Sequence, residues 1–192
     1  MAERSLSGRV WFAAVFLGLG LTIGLLRLLP LQGLGDPAAQ PGEPGLTWAS
    51  WPAPDVMLAL TMAWVVRRPD LLPAPVIAVF FFLEDVLMLR PPGLWTLIVL
   101  VTTEFLRRRN PTLRGLTFWL EYAVIVPLML AMFLVNRMVL GIVMVPQAPL
   151  GLSLAQFVGT VAIYPAVVAC LHYGLGLRKP ATGEVDELGQ KL

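Results

Sequence analysis

Two adjacent carboxylates stand inside an otherwise apolar run, in the stretch FFFLEDVLML at positions 80–89. A carboxylate near the centre of a membrane helix costs roughly 2.5–3.5 kcal/mol on insertion scales, so such groups usually face a partner or water. Glu84 and Asp85 could therefore pair with cations, line a solute path or contact another protein. Which of these roles is favoured depends on the other polar residues that lie at the same depth in the membrane.

Five further polar residues are expected near the same depth, close to the ends of other apolar segments: Arg27, Asp55, Arg90, Asn136 and Arg137. Opposite charges at equal depth in hydrocarbon lower each other's desolvation penalty, so a buried ion-pair layer is predicted. Because adjacent residues on a helix diverge by about 100°, Glu84 and Asp85 cannot both face one partner. We expect one to face Arg27 or Arg137 and the other to reach external water or a partner protein. In the alternative, both carboxylates are hydrated at the outer headgroups and each arginine snorkels separately.

The composition indicates a membrane protein. Of the 192 residues, 57% are hydrophobic and 14% charged, whereas soluble domains carry about 25% charged residues. The mean hydropathy is +0.77. The polar remainder is too short for a separate soluble domain, which needs about 50 residues or more. We predict an all-α, polytopic integral membrane protein folded as one compact helix bundle.

The apolar runs predict six transmembrane helices within residues 1–178, near 10–29, 56–66, 71–89, 94–106, 117–139 and 154–173. The first is expected to be an uncleaved helix, because it is longer than a signal-peptide core. The segment 56–66 would rise only about 17 Å, so it is either a half-helix or is extended by TWASWPAP before it. Residues 30–54 are predicted to form an external loop and 179–192 a polar cytoplasmic tail.

Positive charges predict the orientation, because cytoplasmic loops of membrane proteins carry an excess of Lys and Arg. If all six segments cross and the N-terminus is cytoplasmic, three of the fourteen basic residues lie towards the outside: Arg27, Arg90 and Arg137. The other eleven lie inside, including those of the short loops: Arg67, Arg68, Arg107, Arg108 and Arg109. Both termini are then cytoplasmic. RRRNPTLR at 107–114 is interpreted as an inner loop that signals topology and not as a nucleic-acid-binding segment.

Tryptophans give a second test of orientation, because the indole ring prefers the headgroup region. The six tryptophans are predicted at inner helix ends (Trp11, Trp64, Trp119) and at outer helix ends (Trp48, Trp51, Trp95). Both tests favour the same direction for every segment.

Smaller patterns predict packing and local pairing. Gly20 and Gly24 form a GxxxG face that permits close helix approach, either within the bundle or to another subunit. Glu104 lies three and four residues before Arg107 and Arg108, the spacing that brings helical side chains together. Glu121 is expected within reach of the same basic loop.

The sequence lacks the usual signatures of enzyme chemistry. It has no His and carboxylate cluster for a metal, no GxSG-type nucleophile, no glycine-rich phosphate loop and no HExxH. We therefore predict a protein that is not an enzyme and needs no cofactor.

The region 52–106 resembles the MreD family of bacterial rod shape-determining membrane proteins. The resemblance rests on PDVMLALTMAWVVRRPD at 54–70 and LEDVLMLRPPG at 83–93, which supply the family positions Pro54, Trp64, Asp85 and Gly93. The family often has a glycine four residues before the aspartate, where this chain has Phe81.

This resemblance implies a non-catalytic inner-membrane subunit of the bacterial cell-elongation machinery for peptidoglycan synthesis. The implied partners are membrane lipid, a bitopic protein like MreC, and with it MreB, RodA and the class B penicillin-binding transpeptidase of RodA. It also implies a bundle like that of the substrate-binding subunits of vitamin transporters. A scaffold would offer the partner's helix a lipid-embedded surface specified by small and polar residues, among them Gly20, Gly24, Asp85 and Arg137.

The alternative function is a small solute transporter or substrate-binding membrane subunit, in which the charged layer binds a solute at the outer mouth. A lipid-modifying enzyme is a third, weaker alternative.

Overall fold

The computed structural model describes residues 2–28 and 53–174, without the side chains of 2–9, 25–28 and 114. All regular secondary structure in these residues is helical, so the all-α prediction is confirmed for them. The helices are α1 (Ala2–Leu28), α2 (Val56–Arg67), α3 (Ala74–Leu87), α4 (Leu94–Arg114), α5 (Phe118–Ile142) and α6 (Leu150–Gly174), with a 3-10 turn at Pro69–Leu71. Most of the predicted external loop and the whole predicted tail lie outside the described residues.

Helix α2 is the centre of the bundle. Every residue from Met57 to Arg67 is buried, and the helix contacts α1, α4 and α6. It begins where the Asp55 carboxylate accepts the Leu58 N–H at 3.0 Å, a side-chain N-cap. Its 12 residues rise about 18 Å, and residues 53–55 are not helical. The segment is therefore a short core helix that residues 53–55 do not extend.

Close approach of α1 to the core depends on Gly20. A Cβ atom there would lie 2.7 Å from Phe80 Cζ and 2.9 Å from Met57 Cε, so a larger residue requires the Phe80 and Met57 side chains to shift. Gly24 would meet nothing within 4 Å. The first glycine of the GxxxG pattern thus serves packing within the bundle, and the second lies at an open surface.

The structure differs from the prediction that the Trp64 side chain lies in the headgroup region. That side chain is fully buried, packed edge-to-face against Phe12 and Phe16 at centroid distances of 6.1 and 5.7 Å, so it does not lie at a headgroup surface. The cause is the central position of α2, which surrounds even its last turn with other helices. Trp11 and Trp119 are 55% and 73% exposed, whereas Trp48 and Trp51 lie outside the described residues.

Helix α4 is longer than predicted. It continues to Arg114, so RRRNPTLR is helical and not a loop. Contacts with the chain around the end of α2 hold these last turns in place: Arg107 donates to the Leu72 carbonyl, and Asn110 donates to the Val66 carbonyl at 2.9 Å. Arg108 pairs with Glu104 at 3.3 Å, which confirms the predicted i, i+4 contact.

Two helices, α5 and α6, are long and apolar enough to cross a membrane. Each has 25 residues, with mean hydropathies of 2.2 and 1.9 over the most apolar 18 residues; a helix of that length rises about 37 Å, more than the roughly 30 Å of hydrocarbon. Shorter apolar helical stretches cover Val10–Gly24, within α1, and Val56–Arg67, which is α2. The described residues are thus helical and include two helices of membrane-spanning length and composition.

Candidate functional site

Polar side chains of the bundle gather at its two ends. One end holds the last turns of α2 and α4 and the start of α5, because Asn110 bonds the α2 carbonyls and Glu121 bonds Arg67. The other end holds the starts of α2, α4 and α6 and the last turns of α5, which meet around a cavity. The predicted topology arginines at 67, 68 and 107–109 all belong to the first end.

Asp85 has a structural partner that the sequence interpretation did not include. Its Oδ2 accepts hydrogen bonds from Gly93 N at 3.1 Å, Thr96 N at 3.2 Å and Thr96 Oγ1 at 2.9 Å. The first N–H groups of a helix have no intrahelical acceptor and carry partial positive charge, so a carboxylate there is favourable. Gly93 has φ +90°, a left-handed conformation that favours glycine. Asp85 therefore caps α4 from the end of α3.

Of the pairings expected for the two carboxylates, the one between Asp85 and Arg137 is not formed. Arg137 Nη1 instead donates to the Ala148 carbonyl at 3.2 Å and Ser153 Oγ at 2.9 Å. The N-terminus of α4, close along the chain, supplies Asp85 Oδ2 with three donors, whereas Asp85 Oδ1 is buried without a hydrogen-bond partner among the described residues. Glu84 and Asp85 are 6% and 0% exposed, so the alternative of two hydrated carboxylates is wrong as well. The Arg27 side chain lies outside the described part, and its pairing with Glu84 stays a prediction.

Four of the seven residues predicted for the charged layer do converge. Asp55, Arg90, Asn136 and Arg137 line one cavity of about 270 Å³. We name it the Arg90 cavity. Its remaining walls come from the first turns of α2 and α4, the second half of α5, residues 146–148 and the first half of α6. Glu84 and Asp85 are not among its lining residues.

Some polar groups in the Arg90 cavity are already used by the fold. Thr160 Oγ1 accepts the Asp55 N–H and donates to the Gln156 carbonyl, both at 2.8 Å. Gln147 Nε2 donates to the Arg137 carbonyl at 3.1 Å. These bonds connect the start of α2 to α6 and close the end of α5 onto the segment before α6.

Other polar groups of the cavity lack partners among the described residues. The Arg90 guanidinium and the side-chain amides of Asn136 and Gln156 form no hydrogen bond there, and two buried atoms, Trp95 Nε1 and Gln147 Oε1, also have none. A buried polar atom without a partner is uncommon in native proteins and calls for an explanation. Guanidinium and amide N–H groups around one space can together hold an oxyanion.

Sequence reasoning missed the α6 and α4 contributions to this cavity. Ser153, Gln156 and Thr160 recur at intervals of three and four, which places them on one helix face. This spacing of polar residues in an otherwise apolar segment could have predicted that one face of α6 is polar. Trp95 was predicted as an interfacial marker, and nothing in its sequence context indicates that it lines a cavity.

The opposite end contains a buried ionic cluster, named here the Arg67 cluster, which includes Arg67, Glu121 and Tyr164. Glu121 Oε1 accepts from Arg67 Nη1 at 3.0 Å and from the Tyr164 hydroxyl at 2.7 Å, and the two charged side chains are 6% and 1% exposed. Arg67 Nη1 also donates to the Ala63 carbonyl at 3.0 Å. Arg67 is thus a partner of Glu121 that the sequence interpretation did not include, and the expectation that the basic segment at 107–114 is within reach of Glu121 stays a prediction. The cluster ties α2, α5 and α6 together.

Comparison with protein-family models, with curated proteins and with solved structures found no match. What the chain does is therefore inferred from its own side chains and surfaces.

Proposed function

We propose that this chain is a non-enzymatic, multi-pass membrane scaffold subunit, of the kind that the resemblance to MreD suggests. The observation that carries the proposal is the surface of α5, of whose most apolar 18 residues only 17% are buried. Leu134, Val135 and Met138 are among its exposed side chains. An apolar surface this continuous is rare on soluble monomers. It is expected where a helix contacts lipid or a partner helix.

In this proposal all six helices cross the bacterial inner membrane, with both termini cytoplasmic. Support comes from the arginines, because those at 67, 68 and 107–109 share one end of the bundle while Arg90 and Arg137 belong to the other. The positive-inside rule assigns the first end to the cytoplasm. The Arg90 cavity then lies near the external face.

The proposed partner is a bitopic protein like MreC, through which the scaffold would join MreB, RodA and its transpeptidase. Association of membrane helices depends on close packing and polar contacts, because burial against lipid gains little. The α5 face supplies a long apolar surface, and Gly24 supplies a small residue with open space above it.

Affinity purification in mild detergent tests the scaffold. We expect the tagged chain to recover a bitopic partner in stoichiometric amount from its native membrane. Leu134→Trp on α5 should lower that recovery at least fivefold. Leu87→Trp on α3 is the matched control, because the two leucines are 55% and 54% exposed. A chain that is isolated alone, or equal recovery with both variants, would contradict the proposal.

The Arg90 cavity favours a second candidate function, that of a substrate-binding membrane subunit. Ligand pockets are concave, mostly apolar and carry a few convergent polar groups, as this cavity does. A soluble solute that binds the chain purified without any partner would favour this candidate over the scaffold.

A further inference from the structure

We propose that the Arg90 cavity binds a small phosphate-bearing molecule of headgroup size, with the phosphate held by Arg90 and Arg137. This site goes beyond the scaffold and does not depend on it, because it is formed within one chain.

The charge of the cavity favours an anion. Two arginines, Arg90 and Arg137, line the cavity together with one acidic residue, Asp55, whose Oδ1 already accepts the Leu58 N–H. Within the described part of the chain, the hydrogen-bond acceptors of Arg137 are both neutral, the Ala148 carbonyl and Ser153 Oγ. Among the described residues neither arginine has an ion-pair partner. Each guanidinium presents five N–H donors in a planar fork that matches phosphate oxygens.

The neutral lining favours a phosphate ester with a short organic part. The Asn136 and Gln156 amides can donate to further phosphate oxygens. Leu94, Met129, Phe133 and Phe157 form an apolar wall for carbon atoms. The volume of about 270 Å³ is slightly below the roughly 300–1,000 Å³ of pockets for drug-sized ligands. A glycerol phosphate group has the required chemistry and is small.

This chemistry can come from two sources, the headgroup of an anionic phospholipid or a free phosphate ester. Two experimental arms separate them. In the first, the full chain in phosphatidylcholine nanodiscs is titrated with glycerol 1-phosphate and tryptophan fluorescence is recorded. In the second, native mass spectrometry counts phosphatidylglycerol molecules retained by the chain as the lipid is titrated.

Saturable binding in either arm supports the site, and the arm that responds identifies the source. Arg90→Gln should weaken that binding about tenfold or more, because hydrogen bonds from a charged donor are the strong ones. Asn136→Ala should weaken it by a smaller factor, about threefold. The matched control is Arg109→Gln, because Arg109 is exposed and lies over the Phe105 ring, outside the cavity.

Two results would overturn the inference. One is the absence of saturable binding of both probes to the wild-type chain. The other is equal binding by the Arg90→Gln and Arg109→Gln variants, since that would show the anion to be held elsewhere. Circular dichroism of each variant, which should match that of the wild type, separates loss of binding from loss of fold.

Discussion

The Arg67 cluster and the Arg90 cavity use similar residue types in opposite ways. In the cluster, Arg67 and Glu121 are buried against each other, and Tyr164 adds a third contact. In the cavity, Arg90 and Arg137 have no carboxylate partner among the described residues. Buried charges are costly unless paired, so a paired cluster holds helices together whereas unpaired donors around a cavity are available to a ligand. The difference distinguishes an end of the bundle whose charges are paired within the fold from the end at which we propose that a ligand binds.

The largest expected effect is at the cluster. Glu121→Ala leaves the Arg67 guanidinium buried without its partner, which typically costs about 3–5 kcal/mol of unfolding free energy. Titration with SDS in detergent solution measures this loss. The control is Glu104→Ala, which removes the exposed pair with Arg108 and should cost about 0–1 kcal/mol. If both variants lost equally little, the cluster would not hold the bundle.

A smaller loss is expected from Asp85→Ala. It removes one acceptor from three donors at the start of α4, and leaving such donors buried without a partner costs about 1–3 kcal/mol. Amide hydrogen exchange should increase at Gly93 and Thr96 more than in the middle of α4. Exchange that rises uniformly along α4, or not at all, would contradict the capping role.

The paired glycines of α1 test the packing of the core. Gly20→Ala brings a methyl group against Phe80 and Met57 and should cost about 1–3 kcal/mol by overpacking. Gly24→Ala meets open space and should change stability by at most about 0.5 kcal/mol. Thermal unfolding of the two variants in the same detergent gives the comparison. Equal losses would contradict the assignment of Gly20 to the core.

The smallest expected effect on stability comes from Arg90→Gln. Because the guanidinium has no side-chain partner among the described residues, its loss should change the unfolding free energy by no more than about 0.5 kcal/mol. SDS titration, beside Arg67→Gln as the buried counterpart, checks this. A loss for Arg90→Gln as large as that for Arg67→Gln would remove the distinction between the two ends.

Hydropathy was sufficient to predict the helices. The six predicted segments each coincide with a helix, and the predicted start of α2 at residue 56 agrees because Asp55 caps it. The end of α4 was missed because Asn110 and Pro111 resemble a loop. Their helical state depends on contacts with the end of α2, which no local pattern contains.

The site was predicted in part, for a physical reason. Depth along a helix follows from residue counting, so Asp55, Arg90, Asn136 and Arg137 could be placed in one layer. Rotation about the helix axis decides which side chains meet, and helices that are apolar on nearly every face carry little information about rotation. The Asp85 cap and the Arg67–Glu121 pair both depend on rotation.

The central claim is that the Arg90 cavity and the Arg67 cluster lie on opposite sides of a membrane. The accessibility of single cysteines in intact bacterial cells tests this claim most directly. With Cys170 replaced by serine, Ala148→Cys marks the cavity end and Gly115→Cys marks the arginine-rich end. A membrane-impermeant thiol reagent should label position 148 in intact cells and position 115 only after permeabilisation. Labelling of position 115 from outside intact cells would contradict the account.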